Sequence, residues 1–394
     1  MLAYLDHAAT TAVRPEAQAA MVADLERLGN PSSLHAAGRD ARRVVEEARE
    51  SLAVNLGVRA NDLIFTSGGT EGDNLAIKGM HAKRIAENPD RKYIVISEIE
   101  HHAVLDSARA LAKAGTAEVV LVPVTADGVV DLDWFVTWMA ANAEETSLVS
   151  IMSVNNETGV IQPVAEAHKI AAEHDVPFHT DGVQGAAWLE VPGSWMTDGS
   201  AIAISGHKIG APVGVGALVL NQFPVAIQAH GGGQEPERRS GTLAAGLAAS
   251  LAAASVAARG EREELGGRLR GLRAELERGI LDTVPDSQIN GSEVDRIPGT
   301  SSVSIAGLES DALLLLLDAA GVACSAGSAC QSGIPQPSHV LLAQGIDPAL
   351  ARGSIRFSLG WTSTEDDVAR GLEALPAAVE RARAAYASRH GSRV

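Results

Sequence analysis

Ala203-Ile204-Ser205-Gly206-His207-Lys208 is the stretch that decides how this chain folds. The apolar run 201–204 is typical of a buried strand, and a glycine-rich segment, 210–216, follows it. A lysine at the carboxyl end of such a strand lies where open α/β sheets bind their ligands. If Lys208 is half buried there, its amine is readily tuned into a neutral nucleophile that forms Schiff bases. A solvated loop lysine is the alternative for this stretch taken alone.

The composition indicates a soluble enzyme-sized protein and excludes several classes. The chain has 394 residues, which predicts two domains, and a formal charge of −17, which argues against a nucleic-acid surface. No run of about 18 apolar residues exists, and the first residues lack the basic and apolar regions of a signal peptide. The 2 cysteines form no disulfide framework. We therefore expect a cytoplasmic protein.

Strand-like and helix-like segments alternate through the first two thirds of the chain, which predicts an α/β fold. The predicted helices include 40–56, 71–87, 104–114 and 164–174. The predicted strands are 63–66, 93–97, 119–123, 148–154, 177–180, 201–205 and 215–220. Such alternation is typical of a mainly parallel sheet, here seven-stranded, between two layers of helices.

The pattern changes after about residue 258. An alanine-rich helix, 243–258, and a charged helix, 261–281, precede two further strands, 301–305 and 354–359. We expect a large domain over 15–258 and a smaller α+β domain made of 1–14 and 259–394. The last helix is predicted to begin with a capping box in which Thr362 pairs with Glu365.

Polar clusters follow the predicted strands. After 63–66, Gly69 and Thr70 open a helix whose N-terminus suits a phosphate, although a plain helix-entry turn uses the same residues. After 93–97 come His101 and His102, which suggest metal only weakly, because adjacent side chains diverge and no carboxylate set accompanies them. We predict no metal site. A His101 ring stacked on a flat cofactor or capping the next helix are the two interpretations.

Two more clusters follow the next strands. Asn156 follows 148–154, and Asp181 and Gln184 follow 177–180. A buried aspartate at a strand end is costly unless it faces a cation or a donor, and a protonated pyridine nitrogen is such a partner. We therefore expect Asp181, Gln184 and Lys208 to surround one heterocycle.

The chain resembles the cysteine desulfurases, fold-type I enzymes of the class V aminotransferase type that use pyridoxal 5′-phosphate (PLP). The resemblance extends in order from residue 2 to about 385. It rests on these motifs: Tyr4-Leu5-Asp6-His7-Ala8-Ala9-Thr10-Thr11, Gly29-Asn30-Pro31-Ser32-Ser33, Ser67-Gly68-Gly69-Thr70-Glu71, Glu100-His101-His102-Ala103-Val104, Asn155-Asn156-Glu157, Ser205-Gly206-His207-Lys208, His230-Gly231-Gly232-Gly233, Arg239-Ser240-Gly241-Thr242, Gly327-Ser328-Ala329-Cys330 and Ser354-Ile355-Arg356-Phe357-Ser358.

The resemblance implies a role for each matching residue. Lys208 holds PLP covalently and then moves protons, and Asp181 pairs with the pyridine nitrogen. Arg356 binds the substrate carboxylate, a task that suits a guanidinium fork. The resemblance also makes His101 catalytic and places Asn156 at the substrate beside Arg356. The other implied cofactor contacts are the His101 ring, Gln184 and Asn156 near the phenolic oxygen, Thr70, Ser205 and His207 at the phosphate, and Thr242 from the partner subunit of a homodimer.

Cys330 selects the reaction among those that PLP supports. Its flanks are Ser, Gly and Gln, which no core needs, whereas Cys324 ends an apolar run and is expected to be a small buried side chain. An accessible thiol near positive groups deprotonates, and the thiolate is the attacking form. The resemblance implies that L-cysteine becomes L-alanine and that Cys330 carries the sulfur as a persulfide to acceptor proteins for iron–sulfur cluster assembly or tRNA thiolation.

Two other functions remain open at this point. A selenocysteine lyase, or another class V lyase, would depend less on Cys330. A protein that keeps the fold as a scaffold without catalysis would not need Lys208, Asp181, His101 and Cys330 together.

Overall fold

The computed structural model describes residues 2–190, 199–235, 238–326 and 336–390. Its strands are β1 (Ala3–Tyr4), β2 (Leu63–Thr66), β3 (Tyr93–Ser97), β4 (Glu118–Val122), β5 (Thr146–Ser150), β6 (Phe178–Asp181), β7 (Ser200–Ser205), β8 (Gly216–Leu220), β9 (Ser287–Asn290), β10 (Thr300–Ile305), β11 (Val322–Ala323), β12 (Ser325–Ala326) and β13 (Ser354–Ser358). Its helices are α1 (Pro15–Leu25), α2 (Ala36–Leu56), α3 (Gly69–Glu87), α4 (His102–Lys113), α5 (Leu132–Asn142), α6 (Val164–Glu173), α7 (Gly206–Ile209), α8 (Ala245–Thr283), α9 (Ser310–Ala319), α10 (His339–Ala343), α11 (Pro348–Ala351) and α12 (Glu365–His390).

The large sheet has seven strands in the order β2-β8-β7-β6-β5-β3-β4. Only β8 runs antiparallel to its neighbours, β2 and β7, and the other pairs are parallel. The predicted mainly parallel, seven-stranded sheet is therefore confirmed, with every predicted strand in it. The interval predicted as 148–154 is shifted, since β5 ends at Ser150 and the chain then loops into the Asn155 turn.

Both faces of this sheet are buried, as a parallel sheet requires. Along β7, Ile202 and Ile204 pack into one core with α2 and α8, whereas Ala201 and Ala203 pack into a second core with α3 and α4. The period-2 alternation of a strand thus places successive side chains in different helix layers. The fully apolar run at 201–204 follows from this two-sided burial.

The second part of the chain builds an antiparallel sheet in the order β12-β13-β10-β9, and β1 pairs with β11 in a separate parallel pair. Helices α9 and α12 cover one shared core that also contains Ala3 and Leu5. The proposed division into domains at residues 14 and 258 agrees with the membership of these cores and stays a prediction.

Two helix predictions were wrong in detail. The helices predicted at 243–258 and 261–281 form one helix, α8, because the single Gly260 between strong helix formers costs only about 1 kcal/mol. The capping box of α12 is formed by Thr364 and Asp367, not by Thr362 and Glu365. The Thr364 N–H donates to Asp367 Oδ2 over 2.9 Å, and the Asp367 N–H donates back to Thr364 Oγ1 over 3.3 Å.

No helix in the described part of the chain is long and apolar enough to cross a membrane.

Candidate active site

A cavity of about 750 Å³ lies where β6 and β7 end, which is the edge at which open α/β sheets bind ligands. We call its side on the large sheet the cavity floor (Gly69, Asp181, Ser205, Lys208). We call the lining residues Cys324, Ser325 and Arg356, together with Asp6 that binds two of them, the cavity rim. The structure brings these predicted site residues together around the cavity: Gly69, Thr70, His101, Asn156, Asp181, Gln184, Ser205, His207, Lys208 and Arg356.

Lys208 lies on the single turn of α7 that follows β7, and Gly210 ends this turn with a φ of 95° that favours glycine. Its Nζ donates to the carbonyl oxygens of Ala8 at 2.6 Å and Ala9 at 2.8 Å. Burial, with the nearby Arg356 guanidinium, lowers the pKa of Lys208 to about 8. A substantial fraction of this amine is therefore neutral near physiological pH.

Asp181 ends β6 on the floor, where it is 4% exposed. Its Oδ1 accepts the Val183 N–H at 2.8 Å, so the carboxyl is fixed in orientation. Burial raises the pKa of Asp181 to about 7, and the neighbouring Asp73 adds to this effect. A cationic group in the cavity would stabilise the carboxylate. Beside it, Gln184 Nε2 donates to the Ala8 carbonyl at 2.9 Å.

His101 caps the next helix, which is one of the two interpretations made from the sequence, and its stacking on a flat cofactor stays a prediction. Its Nδ1 accepts the Ala103 N–H at 3.1 Å and thereby caps α4, and the residue also lines the cavity. Because Nδ1 is an acceptor, the ring proton of the neutral imidazole lies on Nε2. Burial lowers the pKa of His101 and favours this neutral form.

One end of the floor suits an anion. Gly69 and Thr70 begin α3, a 19-residue helix whose N-terminus carries a partial positive charge. A Cβ on Gly69 would lie 2.4 Å from Val183 Cγ2, so only glycine allows this close packing. His207 Nδ1 lies 3.3 Å from Thr10 Oγ1, and burial lowers the pKa of His207 to about 4.

The rim presents a positioned cation. Arg356 lies on β13, is 6% exposed, and donates to the Asn156 carbonyl and to Asp6 Oδ1, each over 2.9 Å. Ser325 Oγ donates to Asp6 Oδ2 at 2.8 Å and holds that carboxylate in place. Asp6 belongs to a quoted motif, but no local pattern indicates that its partner lies 350 residues away.

Three predicted residues need separate description. Thr242 lies outside the cavity and lines a different hollow of about 210 Å³ together with Arg239. Cys330 falls within residues 327–335, outside the described residues. Cys324 is half buried, packs against the small-domain core and also borders the cavity. Burial raises the pKa of the Cys324 thiol to about 12, so it stays protonated at neutral pH.

A family model described as aminotransferase class-V matches residues 3–370. The IscS-like cysteine desulfurase of Mycobacterium tuberculosis is 47% identical, covering 99% of this chain and 100% of that protein. Cysteine desulfurase IscS of Dictyoglomus turgidum is 41% identical, covering 96% of this chain and 95% of the relative. Among solved structures, a NifS-like protein matches with a TM-score of 0.87 at 32% identity, covering 97% of this chain and 100% of the other.

The chain therefore belongs to the class-V aminotransferase family, within its cysteine desulfurase group, and the resemblance stated from the motifs is confirmed. The family depends on PLP. DndA from Streptomyces lividans is a further structural match, with a TM-score of 0.75 at 37% identity over 90% of this chain and 99% of the other.

Proposed function

We propose that this enzyme converts L-cysteine to L-alanine with PLP and passes the sulfur, as a persulfide on Cys330, to acceptor proteins. The observation that carries the proposal is the partly neutral Lys208 amine in one cavity with the buried Asp181 carboxyl and the Arg356 guanidinium. The full-length similarity to cysteine desulfurases supports the substrate class.

The residues of the floor fit PLP by their chemistry. Asp181 is a buried acid that forms no ion pair with another described residue, which suits a pyridine nitrogen that carries a proton. The α3 N-terminus, with Thr70, Ser205 and His207, suits a phosphate. Bound PLP supplies an electron sink for negative charge that develops at the substrate Cα. His101, Asn156 and Gln184 would hold the flat ring.

The chain's own groups then carry out the acid–base and sulfur steps. Arg356 binds the substrate carboxylate through two parallel hydrogen bonds and orients the Cα–H bond toward Lys208. Neutral Lys208 takes the Cα proton, and a proton returned to the carbon skeleton completes alanine. The Cys330 thiolate attacks the substrate sulfur: an S–S bond forms, the C–S bond breaks, and the bonding electrons stay on the carbon skeleton.

The two cysteines provide the decisive experiment. Cys330→Ser should bind PLP and L-cysteine but release no alanine, because a hydroxyl is a far poorer nucleophile than a thiolate. Cys324→Ser is the matched control: it should keep turnover and lose on the order of 1 kcal/mol of stability. Mass spectrometry after addition of L-cysteine should find one added sulfur on Cys330. A persulfide on Cys324, or normal turnover by Cys330→Ser, would contradict the mechanism.

The same proposal includes a homodimer. Thr242 lies away from the cavity of its own chain, and we propose that it completes the phosphate site of a partner subunit. Light scattering should give a mass near twice 40.8 kDa. A fully active species with the mass of one chain would rule this out.

The remaining parts of the proposal concern the setting of the reaction. We propose cytoplasmic localisation, and acceptors that belong to iron–sulfur cluster assembly or tRNA thiolation. The large domain, 15–258, would hold PLP, and the small domain, 1–14 with 259–394, would supply Arg356 and Cys330.

A further inference from the structure

Three buried carboxyl groups lie close together at the floor: Asp181, Asp73 on α3, and Glu100 before α4. Asp73 is 1% exposed and borders the cavity, and Glu100 is 0% exposed. Three anions at one buried place would repel one another and would each lose their hydration. The protons that these groups keep therefore decide the charge of the floor.

Glu100 is a completely buried carboxyl group with a partner for one of its two oxygens. Its Oε1 accepts the Met152 N–H at 2.6 Å, while Oε2 has no hydrogen-bond partner among the described residues. Burial raises the pKa of Glu100 well above its usual value, and the charges of Asp181 and Asp73 add to this shift. Burial thus disfavours the charged form of Glu100.

Asp73 faces a histidine. Its Oδ1 lies 3.5 Å from His179 Nε2, and within the described residues neither atom has a hydrogen-bond partner. The other ring nitrogen of His179, Nδ1, is 2.9 Å from Ser150 Oγ. Both side chains are almost completely buried. A proton between Asp73 and His179 is the interaction that satisfies both orphaned atoms.

We propose that Asp73 and His179 share one proton as a net neutral pair, which leaves Asp181 as the single anion of the floor. Asp73 and His179 are then positioning residues that act through Asp181. The role rests on the proposed function, because the cation that Asp181 faces is the ring nitrogen of PLP. Among the described residues, the charged or titratable groups that interact with this pair are Asp181 and Glu100.

The pH dependence of unfolding tests the shared proton. Burial raises the pKa of Asp73 to about 8 and lowers the pKa of His179 to about 4, so the folded pair keeps one proton between these limits. An unfolded aspartate loses its proton near about pH 4 and an unfolded histidine near about pH 6.5. From pH 6.5 to 8 the folded pair therefore holds one proton more than the unfolded chain, and stability falls as pH rises.

Asp73→Asn changes this profile in a predictable direction. The variant keeps only His179, which is neutral when folded and charged when unfolded between about pH 4 and 6.5. The stability of the variant therefore falls as pH drops through that window. The contribution of the wild-type pair to stability does not change with pH there. The unfolding midpoint of the variant minus that of the wild type should rise with pH by about 2 °C per unit from pH 5 to 8.

The experiment uses the full-length chain with PLP removed, so the readout does not depend on activity. His81→Gln is the matched control: this buried histidine meets Ser147 and a backbone carbonyl instead of a carboxylate, so its removal should affect only the acid window. If the difference in unfolding midpoint between the wild type and Asp73→Asn stays constant with pH, Asp73 and His179 do not share a proton.

PLP affinity separates failure of this inference from failure of the proposed function. PLP added to the full-length chain at pH 7 should bind Asp73→Asn within about 3-fold of the wild type, because a neutral amide replaces a neutral pair. Asp181→Asn should bind PLP at least about 10-fold more weakly. If Asp73→Asn and Asp181→Asn lose PLP affinity equally, Asp73 is a second anion and the proposed pair with His179 is wrong. No loss in Asp181→Asn would instead contradict the proposed PLP site, while the unfolding test keeps its meaning.

Discussion

The floor and the rim of the cavity are built by different means. Floor residues follow strands of one mainly parallel sheet, so local chain geometry places them: Asp181 ends β6, and Lys208 comes directly after β7. Rim residues come from segments far apart in the chain, and Arg356 is held by Asp6 across 350 residues. The floor is thus fixed by local sequence, whereas the rim depends on how the N-terminal segment meets strands β12 and β13.

The comparison predicts different consequences for substitutions on the two sides. Loss of a floor group should lower the catalytic rate, because floor groups lie where the reacting atoms would bind. Loss of a rim group should weaken substrate binding and leave the bound reaction nearly intact.

Lys208→Ala should show the largest effect. The variant loses its base and its covalent hold on PLP, so alanine release from L-cysteine should fall by a factor on the order of 10³ or more. PLP should still bind through the phosphate and Asp181 contacts. Absorbance of the purified protein and alanine release measure the two properties. Alanine release at the wild-type rate would reject Lys208 as the reactive lysine.

Arg356→Lys should show a smaller effect of a different kind. Lysine cannot form two parallel hydrogen bonds to a carboxylate, so KM for L-cysteine should rise about 10- to 100-fold, the equivalent of one charge-assisted bond of about 1.5–3 kcal/mol. Arg383→Lys, in an ion pair with Asp286 away from the cavity, is the control and should leave KM unchanged. A fall in kcat with constant KM would move Arg356 from substrate binding to the chemical steps.

The smallest expected effect is the change with pH in the rate at which the unsubstituted protein binds PLP. Because burial lowers the pKa of Lys208 to about 8, the neutral fraction grows about tenfold per pH unit below this value and levels off above it. Stopped-flow absorbance of PLP added to the cofactor-free chain should follow the same curve. A rate that still rises steeply at pH 10, as for an exposed lysine, would show that burial does not tune this amine.

The sequence predicted the floor well for a physical reason. Apolar runs such as 201–204 identify strands buried on both faces, and the polar residues that follow them must meet at one edge of the sheet. Lys208, Asp181 and His101 were found in this way, with roles supplied by the family resemblance. The single helix α8 was predicted as two helices because its first part is alanine-rich and its second part is charged.

Asp6, Asp73 and His179 were given no role because their partners are distant in sequence. A role for Asp73 can be recognised only from its contact with His179, and the two residues lie on different elements, α3 and β6. A role for Asp6 can likewise be recognised only from its ion pair with Arg356. No local pattern of charge or periodicity announces either pair, since each forms only after the chain has packed.

The contacts of the N-terminal segment set an order of events during synthesis. Ala8 and Ala9 provide the carbonyls that hold Lys208, yet the Ala8 N–H is itself held by Ser358, 350 residues later. At a translation rate of about 5–20 residues per second, the ribosome needs roughly 20 to 70 s to cover that interval. A nascent chain can therefore complete its large sheet well before its first residues have their final partners. Competence to capture PLP should appear only after the segment that contains Ser358 has been synthesised and has packed against Ala8.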